Sequence, residues 1–239
     1  MTTDGKRHYP VISGIPVLFS QSSRTTHSGA TGLLHQNMSI ATKTRAVDLE
    51  KLNEFITNMF VPTCGNLFHG VKLDGDYPIV PLPSDLPKGL ILDVGCNWGR
   101  WSIGGAMKGQ MVIGVDPHLE ALLYAKELAR RLIPNNVPFF VACDARHLPF
   151  ADHAFDGCFS YSVLQHFSRQ NMTIILDEIS RTLRRGGISE IQMPNRNGAK
   201  AFLITHEFQP ALAGDTALEG FVPRPTRGVG SWRRDRISG

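Results

Sequence analysis

Between residues 88 and 195 short, almost wholly apolar runs alternate with longer stretches in which apolar residues recur every three or four positions. The first pattern marks buried strands and the second amphipathic helices. "GLILDVG" predicts a strand and "GRWSIGGAMKG" a helix; "QMVIGVD" predicts the next strand, and "PHLEALLYAKELARRLI" a helix with Pro117 in its first turn. "VPFFVACD" and "AFDGCFSYSVLQHF" supply a third and a fourth strand. "RQNMTIILDEISRTLRR" reads as a helix closed by Gly186 and Gly187, and "ISEIQM" as a fifth strand. Apolar strands separated by helices imply an α/β fold, a doubly wound and mostly parallel sheet covered on both faces.

The flanks are less regular. "YPVISGIPVLF", residues 9–19, predicts a short strand pair, and the Ser-, Thr- and His-rich residues 20–44 a flexible linker. Val47, Leu49, Leu52, Phe55, Ile56 and Met59 recur at helical spacing over residues 45–60. Pro62, Pro78, Pro81, Pro83 and Pro87 predict extended or looped chain over residues 61–88. "AKAFLITHEFQPALAG" reads as one helix. The expected organisation is a strand pair and linker (1–44), a helix with a proline-rich lead-in (45–88), a core domain (89–215) and a basic, disordered tail (216–239).

Bulk properties narrow the function. The chain has 239 residues, 42% of them hydrophobic and 19% charged, which suits one soluble α/β domain with appendages. No apolar run approaches the roughly 20 residues that span a bilayer, and the first residues lack the apolar core of a secretory signal. A cytoplasmic protein without membrane contact is expected. Cys64, Cys96, Cys143 and Cys158 are far apart, so reduced thiols are expected and no metal site. The net charge of +4 equals the excess in residues 224–239, where five arginines face Asp235 alone. A near-neutral body argues against a nucleic-acid partner.

In doubly wound sheets ligands bind beyond the carboxyl ends of the strands. Asp93 to Gly99, Asp116, Asp144 and Ser160 to His166 follow predicted strands and are the candidates. Gly95 and Gly99 allow close approach to the backbone, and Asn97 tolerates a left-handed conformation. A dinucleotide fingerprint fails at Asn97 and Arg100, and no P-loop run exists. A carboxylate at the tip of the second strand, Asp116, can accept from both hydroxyls of a ribose. Asp144, at the tip of the third, can accept from an adenine amino group, with the N–H of Ala145 or Arg146 meeting a ring nitrogen. Bland roles compete: Asp116 as a helix N-cap, Asp156 as a strand-start residue, Trp98 and Trp101 as packing rather than a cover, Cys96 and Cys143 as small apolar fillers.

"LDVGCNWGR", "VIGVD", "CDARHLPFADHAFDGCFSYSVLQHF" and "EISRTLRRGG" follow one another in an order and spacing that resembles the class I S-adenosylmethionine-dependent methyltransferases over residues 88–195. The resemblance implies S-adenosylmethionine as cofactor, Gly95 against its methionyl-ribose portion and Asp93 near its amino end. The resulting cofactor set is Asp93, Gly95, Cys96, Asn97, Gly99, Asp116, Pro117, Asp144, Ala145 and Ser160, with Leu119 and Phe150 as apolar walls. His166 is the candidate general base, and His69 the second choice. The strand pair at 9–19 resembles the end of a zinc-ribbon-like module that lacks its cysteines. Family sheets end in an antiparallel hairpin, for which the C-terminal stretch holds no convincing strand pair, so that hairpin is expected to be missing or degraded. The expected function is methyl transfer to a small-molecule acceptor; the alternative is a non-catalytic or truncated cofactor-binding module.

Overall fold

In chain order the elements are β1 (Val11–Ile12), β2 (Ile15–Leu18), α1 (Leu49–Cys64), β3 (Leu90–Val94), α2 (Arg100–Met107), β4 (Met111–Asp116) and α3 (Leu119–Leu132). β5 (Phe139–Cys143), β6 (Phe155–Tyr161), a 3-10 turn (Leu164–His166), α4 (Arg169–Thr182), β7 (Leu183–Gln192) and β8 (Ser231–Arg233) follow. They come from a computed structural model that describes residues 9–19, 49–64, 77, 79, 82–193 and 231–233. The strands form one sheet in the order β1-β2-β5-β4-β3-β6-β7-β8. Its five central strands are parallel, as their near-continuous apolar runs predict.

Helices cover both faces. Ile175 and Ile179 of α4 pack on Leu92, Val94, Val115, Cys158 and Ile191. On the opposite face Leu52 and Ile56 of α1 pack with Trp98, Ile103 of α2 and Leu128 of α3. Asp156 accepts the Leu90 N–H (2.6 Å) and pairs with Arg184, the structural role expected of it.

The strand pair at residues 9–19 forms as predicted, but it is no appendage. β2 runs parallel to β5, with Val17 opposite Ala142 and Leu18 opposite Cys143, and so extends the main sheet. Ser13 and Gly14 turn the pair with φ of 49° and 74°, and Lys126 of α3 donates to the Ser13 carbonyl (2.7 Å). Ile12, Ile15, Val17 and Phe19 share one apolar cluster with Leu119, Leu122, Leu123 and Phe140.

Three local expectations change. α1 continues through Pro62 to Cys64; a proline forfeits one backbone hydrogen bond, and the helix stops two residues later. Pro117 precedes α3 instead of sitting in its first turn, because His118 is the N-cap and its N–H is held by Asp116 Oδ1 (2.8 Å). Gly186 and Gly187 do not close α4. That helix ends at Thr182 where Leu183 turns extended, and the glycines lie within β7. There the register slips from Phe155↔Leu183 to Gly157↔Ile188, and a Cβ on Gly187 would come within 2.9 Å of the Arg184 carbonyl oxygen.

At the other edge β8 pairs antiparallel with β7, Ile191 opposite Trp232. The C-terminal hairpin is therefore represented, among the described residues, by one three-residue strand, in a stretch expected to be tail. The linker at 20–44, His69 and the helix expected over 199–214 lie outside the described residues. No described helix is long and apolar enough to cross a membrane.

Candidate functional site

The carboxyl ends of β3, β4 and β5 bring Asp93, Asp116 and Asp144 to one side of the sheet, all three buried. Between β3 and α2 the chain makes the turn Gly95–Gly99, with φ of 75° at Gly95, 49° at Asn97 and 79° at Gly99. Asn97 thus occupies the left-handed region in which asparagine is tolerated. Its side chain stabilises the turn by accepting the Trp98 N–H (2.8 Å).

All five turn amides are engaged within the protein. Gly95 and Cys96 donate to the Val115 carbonyl (2.8 and 3.0 Å), and Gly99 to the Cys96 carbonyl (2.9 Å). Asn97 donates to Asp116 Oδ2 (3.0 Å). With the His118 N–H on Oδ1, each oxygen of Asp116 accepts one backbone donor. The N-cap role weighed for Asp116 falls to His118, while Asp116 becomes the link between the turn and β4.

The two glycines are demanded first by the protein itself. A Cβ on Gly95 would lie 2.3 Å from Val163 Cγ2, and one on Gly99 2.9 Å from Ala125 Cβ and 3.1 Å from Phe140 Cζ. Val163, in the segment after β6, is a partner of the turn that sequence reasoning missed. Nothing in "SYSVLQHF" marks its valine for that contact.

Asp93 is 1% exposed and accepts the Ser102 hydroxyl (2.6 Å). Burial lifts its pKa to about 7; the Ser102 hydrogen bond opposes the shift and the charge of Asp116 adds to it. An unfolded aspartate titrates near 4. Between those values the folded state holds a proton that the unfolded state has lost. Asp93's contribution to stability is therefore complete at about pH 4 and is lost as the pH rises through about 7. Asp93→Asn should remove this slope from urea unfolding measured across that range. An unchanged slope would show that the protonation lies elsewhere.

Asp144 is held by Arg146, whose Nη2 donates to Oδ2 (2.6 Å) while its Nε and backbone N–H donate to Oδ1 (3.0 and 2.9 Å). This pairing raises the Arg146 pKa. Any group approaching Asp144 meets a carboxylate already gripped by a guanidinium. The guanidinium was the missed element; Asp-x-Arg on one loop was its only signal. Ala145 packs against the α4-side core.

Other expected residues have structural employment. Ser160 is fully buried and donates to the Val94 carbonyl (3.0 Å), tying β6 to β3 instead of facing the crevice. Leu119 is fully buried, and Phe150, half-buried, meets Phe155 edge-on at 5.0 Å. Trp98, 2% exposed, packs against α1. Trp101 lies against Phe159 and Tyr161, with ring centroids 4.9 and 5.0 Å away. Cys96, Cys143 and Cys158 are free and buried, and burial pushes all three thiols up, as expected of packing residues. Pro117 is half-buried beside Asp116. His166 ends the 3-10 turn beyond β6 and is exposed. Among the described residues no cluster has the makings of a metal site.

Residues 91–187 match the family model described as a methyltransferase domain. A Xenopus tropicalis tRNA (carboxymethyluridine(34)-5-O)-methyltransferase is 38% identical over 44% of this chain and 15% of its own length. A malonyl-[acyl-carrier protein] O-methyltransferase of Hamiltonella defensa is 29% identical over 47% of this chain and 40% of its own. The chain thus spans less than half the length of these curated relatives. Among solved structures, phosphoethanolamine N-methyltransferase 1 of Haemonchus contortus, in complex with phosphoethanolamine and S-adenosylhomocysteine, aligns with a TM-score of 0.41 and 20% identity. That alignment covers 45% of this chain and 22% of the other.

Proposed function

We propose, from the match of residues 91–187 to a methyltransferase-domain model, that this chain is a class I S-adenosylmethionine-dependent methyltransferase that transfers a methyl group to a small-molecule acceptor in the cytoplasm. The observation that carries the reading is Asp116: a buried carboxylate at the tip of β4, braced by two backbone donors, an acceptor group of the kind that binds a vicinal diol.

Asp116 would hold the ribose, Asp144 with the amide of Ala145 the adenine, since the Arg146 N–H is taken by Asp144 Oδ1, and Asp93 the amino end. Gly95 to Gly99, including Cys96 and Asn97, would lie along the middle, with Pro117 beside Asp116. The cofactor supplies a methyl group already activated on a sulfonium. The protein's task is then mainly alignment of the acceptor and exclusion of water. His166, exposed on the carboxyl side of the sheet, is placed to accept a proton from a hydroxyl or amine acceptor. Support for a small acceptor is the near-neutral charge of residues 1–223.

A non-catalytic cofactor-binding module is the second reading. It is favoured by the C-terminal stretch, where among the described residues Ser231–Arg233 are the one strand and a hairpin completes family sheets.

The test is thermal melting with and without S-adenosylhomocysteine. Ligand at about 100 times its Kd adds roughly 2.7 kcal/mol, a rise of several degrees for a chain this size. Asp116→Ala should remove most of that rise, whereas no rise in a well-folded wild type would sink the reading. Label transfer from radioactive S-adenosylmethionine then separates the acceptors. Incorporation into a metabolite fraction supports the proposal, incorporation into total tRNA moves the acceptor to the class named for the Xenopus relative, and none in either favours the module.

A further inference from the structure

The segment from Asp144 to Ala154 crosses from β5 to β6 without a helix of its own, and its polar anchorage runs to α4. Arg181 reaches across from that helix. Its Nη2 donates to the Leu148 carbonyl (3.0 Å), and its Nη1 to the Phe150 carbonyl (2.8 Å) and to Asp152 Oδ1 (2.7 Å). Glu178, one turn earlier, receives Arg181 Nε on Oε1 (2.8 Å) and Nη2 on Oε2 (2.9 Å). The same Oε2 accepts the Leu148 N–H (2.8 Å). At the start of the segment Arg146, which grips Asp144, also donates to Asn171 of α4 (3.5 Å).

An isolated surface ion pair contributes little. This one differs because the fork of Arg181 is spent on two main-chain carbonyls and two carboxylates, a set that fixes loop position. Within the loop, the His147 N–H to the Asp144 carbonyl (2.9 Å) and the Arg146 N–H to Asp144 Oδ1 (2.9 Å) close the first turn and do not reach Leu148 to Asp152.

We propose that Glu178 and Arg181 are positioning residues for adenine recognition, clamping Leu148 to Asp152 onto α4 and thereby fixing Asp144 to Arg146 at the tip of β5. This rests on the cofactor reading above. Pairing with Arg181 keeps Glu178 below the ordinary carboxylate range, so the clamp stays charged through neutral pH. Lysine cannot replace Arg181, because a single ammonium cannot span both carbonyls and both carboxylates.

The experiment compares affinities of the full chain for S-adenosylhomocysteine and for S-inosylhomocysteine, in which the 6-amino group is replaced by an oxo group. Titration calorimetry is run on wild type, Arg181→Lys, Arg181→Met and Glu178→Gln, well below each melting temperature. The wild type should prefer the adenine ligand, and that preference should fall by about tenfold in both Arg181 variants. Glu178→Gln, which keeps an acceptor for the Leu148 N–H, should fall between. A purely structural role weakens both ligands alike and leaves the ratio intact; that result overturns the proposal while the cofactor reading stands. Absence of S-adenosylhomocysteine binding in folded wild type overturns the cofactor reading, and the proposal with it.

Discussion

Gly95→Ala is expected to destabilise the ligand-free protein by about 2–5 kcal/mol, from left-handed strain and overpacking together. The backbone there has φ of 75°, and the added methyl would stand 2.3 Å from Val163 Cγ2 and 2.7 Å from Cγ1. Neither cost involves a cofactor, so the loss should appear in urea unfolding of the protein alone. Against a total stability of about 5–15 kcal/mol it is a large fraction. The two causes are separable. Val163→Ala combined with Gly95→Ala should recover the overpacking part and leave the backbone strain, giving a coupling that independent sites lack. Strict additivity would show that Val163 is not what forbids a side chain at Gly95. A Gly95 variant that loses cofactor binding therefore reports first on the fold, which is why Asp116 is the better probe of the site.

Removing residues 1–19 should abolish the cooperative melt. Ile15, Val17 and Phe19 are 0%, 1% and 6% exposed, within the cluster that includes Leu119, Leu122, Phe140 and Cys96. Their loss would bare one face of α3 and the β5 edge, leaving an apolar, unpaired strand open to aggregation. A graded version is Ile15→Ala, which should cost about 2–5 kcal/mol by lost transfer energy and the cavity left behind. Both are read by calorimetry. A deletion variant melting like wild type would mean that the strand pair is dispensable to the fold. A second consequence would be local: Leu119 follows Asp116 by three residues and Cys96 donates to the Val115 carbonyl beside it, so even a folded deletion variant should bind S-adenosylhomocysteine less tightly.

The central strands and helices were legible because each carries its own period and, except where α4 passes directly into β7, is bounded by turn chemistry. Asp93, Asp116 and Asp144 were legible because strand tips are recognisable in sequence and a parallel sheet places successive tips on one edge. Asn97 was legible as a left-handed position for the same local reason. What could not be read depends on partners distant in the chain. Ser160 reads as a pocket residue until Val94 is seen 3.0 Å away, 66 positions earlier. Val163 has no signal of its own importance until Gly95 lies beneath it. Asp144 reads as an open acceptor until the Arg146 side chain closes on it, a rotamer choice within a loop that no propensity specifies. Gly186 and Gly187 carry a helix-stop signal, yet pairing with β6 takes them into β7.

The sequence by itself determined the α/β alternation, the parallel core and the positions of the three acids, because hydrophobic period and turn residues are local properties of the chain. Only the tertiary structure decided that residues 15–18 extend the sheet, that Ser231–Arg233 cover its other edge and that Arg181 clamps the loop after β5. Each is a contact between segments remote in sequence, and its energy comes from burial and hydrogen bonding across the gap, not from any preference written within either segment.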